Sequence, residues 1–184
     1  MDSRLFIGIK IPGALADGLV KIQQELKLVE LKAKFVEAEN LHINLKFLGA
    51  TPQEEIEKIS FAIQNTAANF QKFNIEVNGV GTFPEVGNPR VIWAGVSSDE
   101  LFQLHNLLEQ NLSEIGLPKE TKKFTPHITL ARIKELNNQK LKHSLQTYNN
   151  LFGTFQAEEI SLIQSELSEK GPKYFDLRKY RLGD

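Results

Sequence analysis

The sequence predicts an α+β fold of two similar lobes related by a pseudo-twofold axis, each a mostly antiparallel sheet with helices outside it. Three observations carry that prediction. Period-2 apolar alternation and 3.6-residue apolar stripes follow one another along the chain, so strands and helices interleave. The pattern also recurs. His42-Ile43-Asn44-Leu45 is matched by His127-Ile128-Thr129-Leu130 85 positions later, and Arg4 before the first strand by Arg90 86 positions later. Two matches within one residue of the same register, set in the same element order, mark a duplicated unit. Finally, a chain of 184 residues can bury roughly 70% of its unfolded surface in one core. Residues 1–184 are therefore expected to form a single domain, with repeat units at about 1–85 and 86–184.

In the first unit, Leu5, Ile7, Ile9 and Ile11 alternate with Phe6, Gly8 and Lys10, which predicts a strand. Pro12 suits the first turn of a helix whose stripe runs through Leu15, Leu19, Ile22, Leu26 and Val29. Alternation returns from Leu41 to Leu48 and ends at Gly49. Thr51-Pro52-Gln53-Glu54 reads as a capping box opening a second helix, striped by Ile56, Ile59, Ile63 and Phe70. Phe73, Ile75 and Val77 predict a strand closed by a turn at Gly79-Val80-Gly81. The connection from Phe83 to Pro89 is short and holds two prolines, so the lobes should be packed rather than tethered.

The second unit repeats this order. Val91 to Val96 reads as a buried strand, and Ser97 with Glu100 as another capping box. Leu101, Leu104, Leu108 and Leu112 stripe the helix, which Gly116 and Pro118 stop. A strand from His127 to Ile133 follows, then a fourth helix marked by Leu141, Leu145 and Tyr148. Phe155 to Leu167 reads as a strand or hairpin arm, and Tyr174 to Leu182 as a last short strand.

Strand periodicity puts His42 and Asn44 on one face, with Leu41, Ile43, Leu45 and Phe47 on the other. His127 and Thr129 likewise share a face, away from Ile128 and Leu130. A pseudo-twofold would bring both polar faces to one cleft between the lobes, with two imidazoles and two short hydrogen-bond donors around a central point. Phosphoryl chemistry fits that set. Attack on phosphorus needs a base for the incoming oxygen and an acid for the leaving one, and an imidazole with pKa near ~6.5 serves either role. The Thr129 hydroxyl and Asn44 amide can donate to the non-bridging oxygens. No metal or cofactor is called for. The residues themselves do not say which histidine is acid and which is base.

These stretches resemble the 2H phosphoesterase superfamily, and within it the RNA 2′,3′-cyclic phosphodiesterases, also called 2′-5′ RNA ligases. The resemblance rests on Arg4-Leu5-Phe6-Ile7-Gly8-Ile9, the run from Glu39 to Gly49, the run from Phe124 to Arg132, Ser165-Glu166-Leu167 and Gly171-Pro172-Lys173-Tyr174. It implies a bilobal fold and opening of a terminal 2′,3′-cyclic phosphate to a 2′-phosphate by general acid–base catalysis, with reverse 2′-5′ joining. It further implies His42 as proton donor, His127 as acceptor, and Arg132 beside the phosphate, with Phe47 and Tyr174 as contacts to base or ribose. Period-2 counting sets Arg132 on the face opposite His127, so it reaches the cleft only if the strand bends or ends there. Asn44 stands where the family usually has Thr; a non-catalytic or weakly active binder of phosphorylated RNA ends is therefore the alternative.

Composition agrees with this reading. Lys plus Arg (22) nearly cancel Asp plus Glu (23), which argues against extensive duplex binding but leaves room for RNA ends or nucleotides bearing a cyclic phosphate. Zero cysteines rule out thiolate metal sites and cysteine nucleophiles and fit a reducing compartment. No apolar run approaches a membrane span, and Met1-Asp2-Ser3-Arg4 leads into a strand rather than a signal sequence, so a cytoplasmic monomer without a membrane or obligate protein partner is expected. His105, between Leu104 and Leu108, reads as a helix-packing residue, and Lys122-Lys123 as solvated surface.

Overall fold

The computed structural model describes residues 2–28, 31–85, 88–136, 141, 145, 147–168 and 171–183. Among these residues nine strands form a sheet: β1 (Ser3–Lys10), β2 (Leu31–Phe35), β3 (His42–Thr51), β4 (Phe73–Phe83), β5 (Val91–Ser97), β6 (His127–Leu136), β7 (Leu151–Ala157), β8 (Glu159–Ser168) and β9 (Gly171–Arg181). The order is β7-β4-β5-β6-β3-β1-β8-β9, every neighbouring pair is antiparallel, and β2 pairs with β6 as well. Among the described residues three α-helices, α1 (Gly13–Leu26), α2 (Ile56–Ala68) and α3 (Asp99–Glu114), carry the expected apolar stripes, except that Phe70 falls beyond the end of α2. Among the described residues no helix is long and apolar enough to cross a membrane.

Between β3 and β6 the ladder holds one register pair, Ile43 with Ile128, and the sheet there divides into two four-stranded halves. Past that pair β2 takes over the edge of β6, from Phe35 opposite Ala131 to Leu31 opposite Leu136. The repeat maps β1 onto β5, β3 onto β6 and β4 onto β8, and the sheet order is palindromic about the Ile43–Ile128 pair. The halves do not follow the two sequence units, however. β4 pairs with β5 and β7, while β8 pairs with β1, so the units exchange their third strands. A single cluster of buried apolar side chains runs from Leu5 to Leu182.

Local departures from the expected elements have identifiable causes. Thr51 closes β3 and its Oγ1 donates to the Gly49 carbonyl, so it caps nothing; a 3₁₀ turn at Gln53–Glu55 leads into α2 instead. Ser97 stays in β5, and Ser98 precedes α3 with its Oγ donating to Glu100 Oε2 at 2.9 Å. Gly79 does not close a turn. It is a bulge residue at φ +61°, which only glycine takes without strain, and β4 continues through it to Phe83. β2 was not expected: Leu31-Lys32-Ala33-Lys34-Phe35 does alternate, but it follows the helical stripe without a turn signal. The tail forms an 11-residue strand along β8 rather than a short one. Val29, Val86, Gly87 and most of the expected fourth helix around Leu141 and Leu145 lie outside the described residues.

Two bulges position the site. Against β1, Asn44 faces Gly8 and Lys46 faces Ile7, which leaves Leu45 without a register partner. Against β5, Thr129 faces Trp93 and Ala131 faces Ile92, which leaves Leu130 without one. The extra residues are 85 positions apart, the repeat offset itself. Each inverts the alternation of its strand, so two consecutive side chains point inward: Leu45 and Lys46 are buried, as are Leu130 and Ala131. Beyond each bulge the next outward residues, Phe47 and Arg132, fall on the face of the histidines.

Candidate active site

His42 and His127 open their strands under the same local constraint. His42 Nδ1 lies 2.7 Å from the carbonyl of Asn40, and His127 Nδ1 lies 2.8 Å from that of Thr125. A carbonyl only accepts, so Nδ1 carries the hydrogen and donates in both, which fixes the neutral tautomer and presents Nε2 as the basic nitrogen. Each ring is also braced by aromatic neighbours. Phe6 lies 4.7 Å from the His42 ring and Tyr174 meets it edge-on at 5.3 Å, while Phe83 meets the His127 ring edge-on at 5.0 Å. Gly8 is needed beneath His42, because a Cβ there would stand 2.8 Å from the Ile43 carbonyl oxygen.

Both rings line one cavity of about 520 Å³. All seven residues singled out from the sequence border it: His42, Asn44, Phe47, His127, Thr129, Arg132 and Tyr174. The expectation that Phe47 faces the core and that Arg132 opposes His127 is corrected by the bulges, which turn both onto the cavity. Sequence reasoning passed over Arg4, Lys34 and Ser165, which also line it. Arg4 was visible as the first half of the Arg4–Arg90 match, and its guanidinium lies over the Phe47 ring, 5.3 Å from the centroid. Lys34 sits on the unexpected strand β2, where it is the register partner of Arg132.

The charge around the cavity differs from that of the chain. Among the described residues, Arg4, Lys34 and Arg132 face it against Glu37, although the whole sequence carries a net charge of −1. Burial holds the His42 pKa below the ordinary imidazole value; the Asn40 carbonyl opposes that shift, and His127, Arg132 and Lys10 add to it. His127 is lowered by burial and by Arg132, against the Thr125 carbonyl. Tyr174 is raised by burial and pulled back by Arg132 and Arg4. Two imidazoles that prefer to be neutral, in a site rich in fixed cations, suit a substrate that brings negative charge with it. Among the described residues no three His, Asp or Glu side chains gather into a metal-binding group.

Residues 15–169 match the family model described as the 2′-5′ RNA ligase superfamily. This chain belongs to that superfamily. It is 35% identical over 179 residues to the RNA 2′,3′-cyclic phosphodiesterase of Methanocaldococcus jannaschii, covering 96% of this chain and 99% of the relative. The protein of the same name from Aquifex aeolicus is 32% identical over 185 residues, covering 98% of this chain and 97% of that one. In structure the chain is similar to TT0787 of Thermus thermophilus, with a TM-score of 0.87, 31% identity and 98% of each chain covered. The E. coli LigT structure complexed with 3′-AMP shares the fold, with a TM-score of 0.82 at 22% identity and 100% of each chain covered.

Within this superfamily fold, the paired motifs are placed by backbone rather than by loops. Asn44 and Thr129 follow their histidines by two residues on strands packed at the centre of the sheet, and each immediately precedes its bulge. Their side chains are therefore held at fixed reach from the imidazoles, a condition for stabilising charge in a transition state.

Proposed function

We propose that this chain is an RNA 2′,3′-cyclic phosphodiesterase that hydrolyses a terminal cyclic phosphate to a 2′-phosphate, with 2′-5′ joining as its reverse. The observation that carries this reading is the matched pair of Nδ1–carbonyl bonds, which presents two Nε2 atoms to one cation-lined cavity. In hydrolysis a water oxygen attacks phosphorus in line with O3′ and gives its proton to His127 Nε2. The P–O3′ bond breaks, O3′ takes the proton from His42 Nε2, and the phosphate stays on O2′. Asn44 Nδ2 and Thr129 Oγ1 donate to the non-bridging oxygens, Arg132 offsets their charge, and Phe47 and Tyr174 contact the terminal nucleoside. The cationic lining favours the phosphate, and substrate charge in turn raises the imidazole pKa values toward working range.

The histidines act as acid and base, so the reaction is metal-independent in this reading. Absence of cysteine supports a cytoplasmic setting; the mechanism calls on no group beyond those of one chain, so the working unit in this reading is a monomer. The test is turnover of an RNA oligomer ending in 2′,3′-cyclic phosphate in excess chelator, with 2′- and 3′-phosphate products resolved. Clean 2′-phosphate is expected. Activity abolished by chelator and restored by a divalent cation would overturn the mechanism.

Asn44 motivates a second reading, a binder of phosphorylated RNA ends without turnover. The Asn amide reaches one atom farther than a Thr hydroxyl and lacks the branching that stiffens Thr. Turnover by the native chain, retained in Asn44→Thr, supports the enzyme; tight binding of the RNA end with no turnover in either supports the binder.

A further inference from the structure

A second cavity, of about 510 Å³, adjoins the same histidine: His127 lines both. Its walls come from β4, β5, the start of α3 and the segment leading into β6. Among the described residues, four aromatic rings face it, those of Phe83, Trp93, Phe102 and Phe124, with Lys123 as a cation and no carboxylate in the lining.

These walls are held in place. The Trp93 indole packs on Gly81 so closely that a Cβ there would stand 2.3 Å from the ring, and Phe83 lies 5.2 Å from Trp93. Phe124 stacks on His105 at 3.8 Å, nearly parallel, and meets Phe102 edge-on at 5.6 Å. His105 thus has a packing role, as expected, and the ring it supports faces the groove. Trp93 Nε1 is buried with no hydrogen-bond partner among the described residues.

We infer that this groove binds the 5′-terminal nucleoside of an RNA strand bearing a free 5′-hydroxyl, the nucleophile for 2′-5′ joining. The inference rests on the function proposed above, in which His127 is the base. A nucleophile must arrive beside the base, and His127 is the residue this groove shares with the first cavity. Rigid aromatic walls offer a base stacking surface with little sequence preference, and Lys123 stands ready for the next phosphate. In the step itself O5′ attacks the cyclic phosphorus and its proton passes to His127 Nε2. The P–O3′ bond breaks, O3′ takes the His42 proton, and phosphorus ends joined to O2′ and O5′. No co-reactant is consumed.

Trp93 is the single tryptophan of the chain, so its fluorescence reports on the groove directly. The full chain, saturated with 2′-AMP to fill the larger cavity, is titrated with the dinucleoside monophosphate ApA, whose 5′ end is a hydroxyl. A saturable change is expected, and Phe102→Ala and Lys123→Ala should each weaken ApA binding at least about fivefold. Both should leave 2′-AMP affinity, by calorimetry, and hydrolysis of the cyclic phosphate unaltered, while lowering the yield when a 5′-hydroxyl oligomer is joined to a cyclic-phosphate oligomer. No saturable change, or equal ApA affinity in the native chain and both variants, overturns the inference. So does ApA binding by a chain that never joins the two oligomers. Failure of the native chain to hydrolyse the cyclic phosphate would overturn the reading of the larger cavity instead, and the titration separates the two.

Discussion

Ile43 of β3 and Ile128 of β6, equivalent positions of the sequence repeat, are each other's register partners. Only a pseudo-twofold axis running between the two strands pairs a position with its own counterpart. Both side chains are fully buried, so the axis is anchored in the core on one side of the sheet. On the other side His42 and His127, each one residue earlier, are brought to the same cavity. A twofold relation delivers two copies of one group to opposite sides of a point, which is the arrangement an in-line displacement at phosphorus requires.

Replacing either histidine by Ala is expected to lower kcat by roughly 10²–10⁴-fold, the usual worth of a general acid or base. Circular dichroism should show an unchanged fold. Loss in one variant but not the other, with cyclic-phosphate oligomer as substrate, would remove the paired mechanism.

The pH profile follows from both imidazoles being lowered in the free protein. The proposed mechanism needs one protonated and one neutral. Above the two pKa values the acid is lost, and below them the base is lost. The bell of kcat/KM should therefore peak on the acidic side of about 6.5. Stability carries the same sign. A histidine held below its unfolded pKa disfavours the folded chain as pH falls through the unfolded value toward the folded one. A kcat/KM maximum well above neutrality would contradict this assignment.

The bulge at Leu130 has a guardian in Gln23. Its buried side-chain amide donates from α1 to the carbonyls of Leu130 at 2.9 Å and Val36 at 2.8 Å. Gln23→Leu should cost about 1–3 kcal/mol in chemical denaturation, the penalty for carbonyls that lose a buried donor. Because Arg132 owes its place to that bulge, KM for the cyclic phosphate should rise as well. A loss of stability with unchanged kinetics would show that the strand holds the bulge without help.

Inverted alternation has a further result at Lys46, which points into the core. Its Nζ sits 2.7 Å from Glu109 Oε1 on α3 and donates to the Pro118 carbonyl at 2.7 Å. Side-chain exposures of 5% and 9% leave neither charge much water. Glu109→Ala should destabilise the chain by about 3–5 kcal/mol, as expected when one partner of a buried pair is removed. Thermal or urea unfolding reads this directly.

What the sequence made legible was whatever depends on one segment alone. The stripes of α1, α2 and α3, the alternation of β1 and β3 and the paired histidine motifs are all local patterns. The bulges were not legible, because an extra residue at Leu45 or Leu130 shows only against the neighbouring strand. That is why period-2 counting put Phe47 and Arg132 on the wrong face. Both expected capping boxes failed for a related reason. The strand ladder held Thr51 and Ser97, so neither was free to cap a helix. Lys34 went unnoticed because its strand did, and Arg4 because its repeat match was treated as a marker of symmetry rather than as a cation.

The exchanged third strands also set the order in which the chain can become a protein. Leu5 and Gln164 are register partners 159 positions apart, so β1 lacks one of its two neighbours until residue 164 has left the ribosome. Closing so long a loop is entropically slow. During synthesis the first histidine motif therefore exists on an incomplete half-sheet, and the cavity that needs Tyr174 and Arg4 together forms only after both segments, 170 positions apart, have emerged.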